Sequence, residues 1–150
     1  MKRFGKRGIS MIEIREIKAD DLSFVADLEK KLFSDAWTRE SLEEELLSPF
    51  AKSYLLSEDG APCAYGLFRL MAGEGEVLRI GTSPEHRRRG FAAALLRHFS
   101  EHAPEKVFLE VREGNLPARS LYESAGFKEI SKRPRYYRNP TEDAVIYEKK

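Results

Sequence analysis

Three places in this sequence carry side chains whose chemistry exceeds what packing alone asks of them. The first is the run Arg87-Arg88-Arg89-Gly90-Phe91-Ala92-Ala93, which follows a strand-like stretch and opens an alanine- and leucine-rich helical one. The first turn of a helix leaves about four backbone N–H groups without internal acceptors, and the helix dipole adds positive potential there. An anion is the natural occupant of such a place. Gly90 lets it approach the backbone, Ala92 is nearly as small, and the arginines add charge-assisted hydrogen bonds. The run therefore reads as a pyrophosphate or polyphosphate site. Neither a G-x-x-x-x-G-K-S/T loop nor a G-x-G-x-x-G fingerprint is present. A solvated basic loop competes with this reading; a nucleic-acid patch does so less, because the run is short, isolated and free of interleaved aromatics.

The second place is Glu110, the lone charge within Val107-Phe108-Leu109-Glu110-Val111. A carboxylate among apolar residues is costly unless it has a partner or a purpose. The alternatives are catalysis, an ion pair with Arg112 or another arginine, and an exposed sheet face. The third is Tyr122 on a short helical stretch, either a core tyrosine with a satisfied hydroxyl or a proton donor. No Ser-His-Asp or Cys-His arrangement competes. Cys63 is the only cysteine, so an internal disulfide and a C-x-x-C motif are excluded, and Cys63 reads as a small core residue. His86 lies close enough in sequence to reach a phosphate. His98 and His102 are spaced i, i+4 without a further ligand nearby, so no metal is expected.

The elements that must position these residues follow from periodicity. Residues 12–18 read as a strand. Asp20 and Asp21 offer an N-cap for a helix carrying Leu22, Val25, Leu28, Leu32 and Phe33, and Thr38 caps a second helix that stops before Pro49. Residues 53–57 and 63–71 form a hairpin around Glu58-Asp59-Gly60, and the glycines at 73–75 turn the chain into a strand at 76–82. A helix over 90–102, a strand over 106–112 and a helix over 118–124 follow, the last ended by Gly126 as a left-handed cap. Strands at 127–133 and 144–148 close the chain, joined by a polar, aromatic loop. The order is β-α-α-β-β-β-α-β-α-β-β, which implies an α/β protein whose helices layer onto a mixed sheet.

At 150 residues, 41% hydrophobic and 34% charged, one domain with a buried core is expected rather than disorder. A net charge of +1 argues against nucleic-acid binding, and no apolar run approaches the ~20 residues that cross a bilayer. Residues 1–11 carry Lys2, Arg3, Lys6 and Arg7 without a following apolar segment, so they read as a disordered basic extension, with Met11 a candidate start and the cytoplasm the expected location. The chain is expected to be a monomer or weak dimer without membrane contact.

From Val77 to Ala93 the sequence resembles the acetyl-CoA signature of the GNAT superfamily, an R/Q-x-x-G-x-G/A turn after a strand and a serine-proline break. Phe33-Ser34-Asp35-Ala36-Trp37-Thr38, Leu109-Glu110-Val111-Arg112, and Asn115 through Leu121-Tyr122-Glu123 to Gly126-Phe127 extend the likeness over nearly the whole chain from Ile12 to Glu148. It is most similar to the bacterial ribosomal-protein-alanine N-acetyltransferases. The resemblance implies a mostly antiparallel GNAT sheet with helices on both faces over residues 12–150, and acetyl-CoA as co-substrate without a metal. It also implies that Ile80, Gly81 and Thr82 bind the pantetheine and acetyl group, that the run from Arg87 to Ala93 wraps the pyrophosphate, and that Asn115 bonds the cofactor arm. Glu110 would be the general base and Tyr122 the general acid. Ala92 departs from the glycine many relatives carry, a change the superfamily tolerates, and the basic extension falls outside the match.

Acetyl transfer needs a neutral amine. An α-amine of pKa ~7.8 is roughly one-seventh neutral at pH 7, a lysine of ~10.4 only about four parts in ten thousand. The implied acceptor is the N-terminal alanine of a ribosomal protein, the eighteenth of the small subunit. Trp37, Tyr136 and Tyr137 are candidate walls for it, with packing as their ordinary alternative, and Glu43-Glu44-Glu45 reads as a solvated helix face. Lysine side chains or small-molecule amines remain alternative acceptors, and a non-catalytic acyl-CoA-binding module an alternative of another class.

Overall fold

The computed structural model describes residues 10–150; of the basic extension only its last two residues fall within that range, so its expected disorder lies outside. Seven strands form one sheet in the order β1-β2-β3-β4-β5-β7-β6. They are β1 Ile12–Glu16, β2 Tyr54–Glu58, β3 Ala61–Met71, β4 Glu74–Thr82, β5 Lys106–Arg112, β6 Lys128–Tyr137 and β7 Glu142–Lys149. Only β4 and β5 run parallel. The helices α1 Leu22–Leu32 and α2 Arg39–Leu47 cover one face, and α3 Phe91–Ser100 and α4 Leu116–Ser124 the other. The element order and the mixed, mostly antiparallel sheet are those expected.

Each face has its own core. Alternation along β5 buries Val107, Leu109 and Val111 against Leu95, Leu96 and Phe99 of α3. Phe68 and Phe99 stack there with centroids 4.3 Å apart. The other core joins Leu22, Val25 and Leu28 of α1 and Leu42 of α2 to Leu55, Tyr65 and Leu67. Thr38 caps α2 by accepting from the Ser41 N–H at 3.0 Å, as expected.

The elements differ from the sequence reading where tertiary contacts decide. Gly75, read as part of a turn, lies inside β4, where a Cβ would stand 2.6 Å from the Phe99 ring. The turn itself is only Ala72-Gly73, both at positive φ. Tyr136 and Tyr137, read as loop, end β6, because β6 is held by β7 as far as Tyr137 opposite Glu142. The acidic run on α2 is not a uniformly solvated face: Glu45 is buried and bonds Arg69 at 2.7 and 3.0 Å.

The feature that matters most is where pairing stops. β4 and β5 pair from Glu74 opposite Lys106 to Val77 opposite Leu109, and no further, although the strands run on to Thr82 and Arg112. On its other edge β4 has Val77 opposite Phe68 and Arg79 opposite Leu67, so Leu78 is an extra, bulged residue. A bulge bends its strand and raises the local twist. The two strands separate beyond it. Replacing Phe99 by alanine, which empties the stack on the α3 face, is expected to cost about 3–5 kcal/mol in urea unfolding with the fold retained.

Candidate active site

A cavity of about 670 Å³ opens on the α3–α4 face at the separated ends of β4 and β5, a size suited to a cofactor-class ligand. Ile80, Gly81 and Thr82 form one wall. They pair with Gly66, Tyr65 and Ala64 of β3 on one side only, so part of their backbone polar groups faces the opening. Gly81 is required by its neighbour: a Cβ would stand 2.6 Å from the Tyr65 ring.

The mouth of α3 forms the second wall, lined by Arg87, Arg88, Gly90, Phe91, Ala92 and Ala93. Arg88 and Gly90 both adopt left-handed backbone, with φ of 65° and 78°. The first helical bond is that of the Ala94 N–H to the Gly90 carbonyl at 2.9 Å, and no side chain caps α3. The N–H groups of Phe91, Ala92 and Ala93 therefore have no acceptor within the helix, which gives the anion cradle read from the sequence. Arg89 does not join it. Its guanidinium is clamped by the Glu58 carboxylate, one contact being 2.6 Å, and stacks 4.9 Å over Phe91. That pairing holds the Glu58 carboxyl down at about 2. Charge complementarity at the β2–β3 hairpin thus removes one of the three arginines from the cavity.

Asn115 lines the cavity and also caps α4, its Oδ1 accepting from the Ala118 N–H at 3.2 Å. Tyr122 lines it from α4, with its ring packed on Phe127 and Tyr147. The residue is 8% exposed, and its hydroxyl makes no hydrogen bond among the described residues. Burial pushes the phenol up to about 12, so it stays protonated at neutral pH. His86 lines the cavity with Nδ1 3.0 Å from Ser83 Oγ.

Glu110 does not line this cavity. It points from β5 to the opposite face of the sheet, where its carboxylate meets Arg133 Nε at 3.3 Å and remains 23% exposed. The partner is Arg133 rather than Arg112, whose guanidinium is occupied by Glu142 at 3.3 Å and stacks 4.6 Å over Tyr137. Tyr136 stands over Arg133 and next to Glu110, whose carboxylate raises the Tyr136 phenol. The Tyr137 phenol is pushed up to about 12, chiefly by burial, then by the charges of Glu110, Tyr136 and Asp35. Trp37 packs half-buried against the α1–α2 core.

One network was not legible in the sequence. Glu29, fully buried on α1, accepts from the Tyr65 hydroxyl, from the Trp37 N–H at 2.9 Å and from Arg79 Nε at 3.2 Å. Arg79 also donates to the Asp35 carbonyl at 2.9 Å and stacks 3.8 Å over Phe33, a cavity residue. One buried carboxylate therefore ties the bulge of β4 to the loop 33–37. In the sequence Glu29 is one of many charges at helical spacing, and its partners lie far along the chain. Elsewhere, ligand atoms of Glu58, Cys63 and His86 lie within 4.8 Å of one another, with the Glu58 carboxylate already taken by Arg89.

The strand separation, the amide-lined helix mouth and the tyrosine at the cavity wall define a GNAT-type acyltransferase site, and the acetyltransferase (GNAT) family model matches residues 22–127: the chain belongs to that family and is an acetyl-CoA-dependent N-acetyltransferase. It is 30% identical over 147 residues to the Escherichia coli ribosomal protein bS18-alanine N-acetyltransferase, covering 91% of this chain and 95% of that one. It is 34% identical over 140 residues to the N-alpha-acetyltransferase RimI of Mycobacterium tuberculosis, covering 89% of each. The crystal structure of the Escherichia coli ribosomal-protein-S18-alanine enzyme superposes with a TM-score of 0.85 at 26% identity over 93% of both chains. The Arabidopsis thaliana NAA60 structure with acetyl-CoA shares the fold, with a TM-score of 0.83 at 17% identity, covering 92% of this chain and 98% of that one.

Glu29→Ala removes the buried carboxylate that Arg79, the Tyr65 hydroxyl and the Trp37 N–H share, and leaves Arg79, 16% exposed, only the exposed Asp35 carboxylate at 3.3 Å. Breaking such a pair is expected to cost about 3 kcal/mol in chemical denaturation, and Glu29→Gln less, because its amide oxygen still accepts a hydrogen bond.

Proposed function

We propose that the enzyme transfers the acetyl group of acetyl-CoA to the α-amine of an N-terminal alanine on a ribosomal protein homologous to bS18. The observation that carries this reading is the division of labour across the sheet. Tyr122 and the amide cradle occupy one face and Glu110 the other, and the two meet where β4 and β5 part. The donor enters from the α3–α4 side with its pyrophosphate on the N–H groups of Phe91, Ala92 and Ala93, assisted by Arg87 and Arg88. Asn115 holds the cofactor arm, and the unpaired edge of Ile80, Gly81 and Thr82 holds the pantetheine and the thioester carbonyl. The acceptor enters from the opposite face, between the loop holding Trp37 and the end of β6 with Tyr136 and Tyr137. The names of the relatives support the alanine acceptor.

The reaction is direct transfer, since no cysteine lines the cavity to form a covalent intermediate. Glu110, directly or through a water, takes the proton of the α-ammonium. The freed nitrogen pair attacks the thioester carbon, backbone N–H groups of β4 stabilise the oxyanion, and the carbon–sulfur bond breaks. Tyr122 donates its proton to the departing sulfur, and the second proton, shed by the nitrogen as the amide forms, passes through water to restore the phenol. Its raised pKa keeps it in the donating form over the whole working range. Placement in the cytoplasm, where ribosomal proteins are made, belongs to the same reading.

Glu110→Gln and Tyr122→Phe are each expected to lower kcat by about 10²–10⁴-fold with coenzyme A affinity preserved by calorimetry. Unchanged turnover in either variant would remove that residue from its role. Mass spectrometry of an alanine-starting peptide, free or blocked at its N-terminus, tests the acceptor: only the free peptide should gain an acetyl group. With pH, kcat/KM should rise as the α-amine loses its proton near ~7.8. Because Tyr122 stays protonated up to about 12, no alkaline fall should follow below roughly pH 10.

A further inference from the structure

Arg79 makes more contacts than neutralising a buried glutamate requires. Its Nε meets the two Glu29 carboxylate oxygens at 3.3 and 3.2 Å. Its Nη2 donates to the Asp35 carbonyl at 2.9 Å and reaches the Asp35 carboxylate at 3.3 Å, while Cζ lies 3.8 Å from the centre of the Phe33 ring. Glu29 is also served by the Tyr65 hydroxyl and the Trp37 N–H. Residues 33–37 belong to neither a helix nor a strand. Apart from the Phe33 N–H on the Glu29 carbonyl at 2.9 Å, every hydrogen bond that holds this loop among the described residues ends on the Glu29 carboxylate or the Arg79 guanidinium.

The same side chain starts from the donor wall. Arg79 immediately precedes Ile80, whose strand edge borders the cavity, and Phe33 borders that cavity from the loop. The bulge at Leu78 is what turns Arg79 toward α1. One planar fork therefore spans from the edge of β4 to the loop that holds Trp37. A lysine would neutralise Glu29, but a single ammonium has no planar face for Phe33 and no second arm in fixed geometry for Asp35. We infer that Arg79 is a positioning residue for the acceptor. It touches no reacting atom; it sets loop 33–37 at a fixed distance from the backbone of Ile80, Gly81 and Thr82, so that the acceptor is presented to the thioester in register. The inference rests on the reading that the acceptor enters beside Trp37. A wall displaced by about 1 Å is felt in the reaction even when it lies outside the chemistry.

The test compares the wild type with Arg79→Lys and Arg79→Ala in three measurements: steady-state kinetics on an alanine-starting peptide, urea unfolding, and acrylamide quenching of Trp37. Trp37 is the only tryptophan of the chain, so its fluorescence reports on the loop directly. Arg79→Lys should unfold at a higher urea concentration than Arg79→Ala, because the buried carboxylate keeps a cation. Its KM for the peptide should nonetheless rise about tenfold, with the Kd for coenzyme A within about twofold of wild type. Trp37 should become more open to acrylamide in the same variant. A peptide KM within about twofold of wild type in Arg79→Lys would overturn the inference, since Arg79 would then be a counter-ion of Glu29 and nothing more. A loss of coenzyme A affinity as large as the rise in peptide KM would overturn it too, by making Arg79 a support of the whole fold. Where Arg79→Lys does not fold, Phe33→Leu decides, because it removes the stack and leaves the buried pair: an unchanged peptide KM and unchanged quenching there sink the inference. A wild type that leaves the alanine-starting peptide unmodified takes down the acceptor reading and the inference with it. An active wild type matched by Arg79→Lys takes down the inference alone.

Discussion

Everything functional in this molecule depends on one interruption of backbone hydrogen bonding. Two parallel neighbours in a sheet normally satisfy each other along their whole length. Here β4 and β5 do so only as far as Val77 and Leu109. The bulge at Leu78 is the local cause, and its effect is double. It bends β4 away, freeing part of the backbone of Ile80, Gly81 and Thr82. It also reverses the alternation of side chains, so Arg79 reaches Glu29 on the α1 face while Ile80 packs toward the α3 face.

An interrupted sheet would be filled by water or closed by collapse unless its edges were held apart. The hold comes from polar groups on one side and packing on the other. Glu29, Arg79, Tyr65 and the Trp37 N–H bind the bulge to the first helix and to the loop after it. Their low-dielectric setting strengthens each contact and makes each loss expensive. On the opposite face Tyr122 is wedged among Phe127 and Tyr147, so its hydroxyl keeps a set position at the cavity wall. The same gap that opens the cavity on one face leaves Glu110 on the other, the arrangement that the proposed two-sided entry of donor and acceptor requires.

Charge is distributed to match. Of the three consecutive arginines, Arg87 and Arg88 stay at the cavity while Arg89 is spent on Glu58, anchoring the loop before α3 to the β2–β3 hairpin. The left-handed backbone of Arg88 and Gly90 turns the chain so that the next amides point outward. Across the sheet, Arg69 and Arg133 are each bound to a glutamate, so neither guanidinium charge stands unpaired there.

The sequence by itself determined what is local. Period and punctuation set the order of strands and helices, Thr38 announced its cap, and the arginine-glycine-alanine run announced an amide cradle, because all of these depend on residues within one or two turns of each other. Glu110 stood out as the lone charge among apolar neighbours, whereas Tyr122 drew its role from the family resemblance. Tertiary structure alone decided which face each odd residue would see. It sent Glu110 to the side opposite the cavity, gave it Arg133 as a partner, removed Arg89 to Glu58 and drew Tyr136 and Tyr137 into a strand. Glu29 and Arg79 stayed silent because their meaning lies in contacts fifty residues apart, which no local pattern encodes.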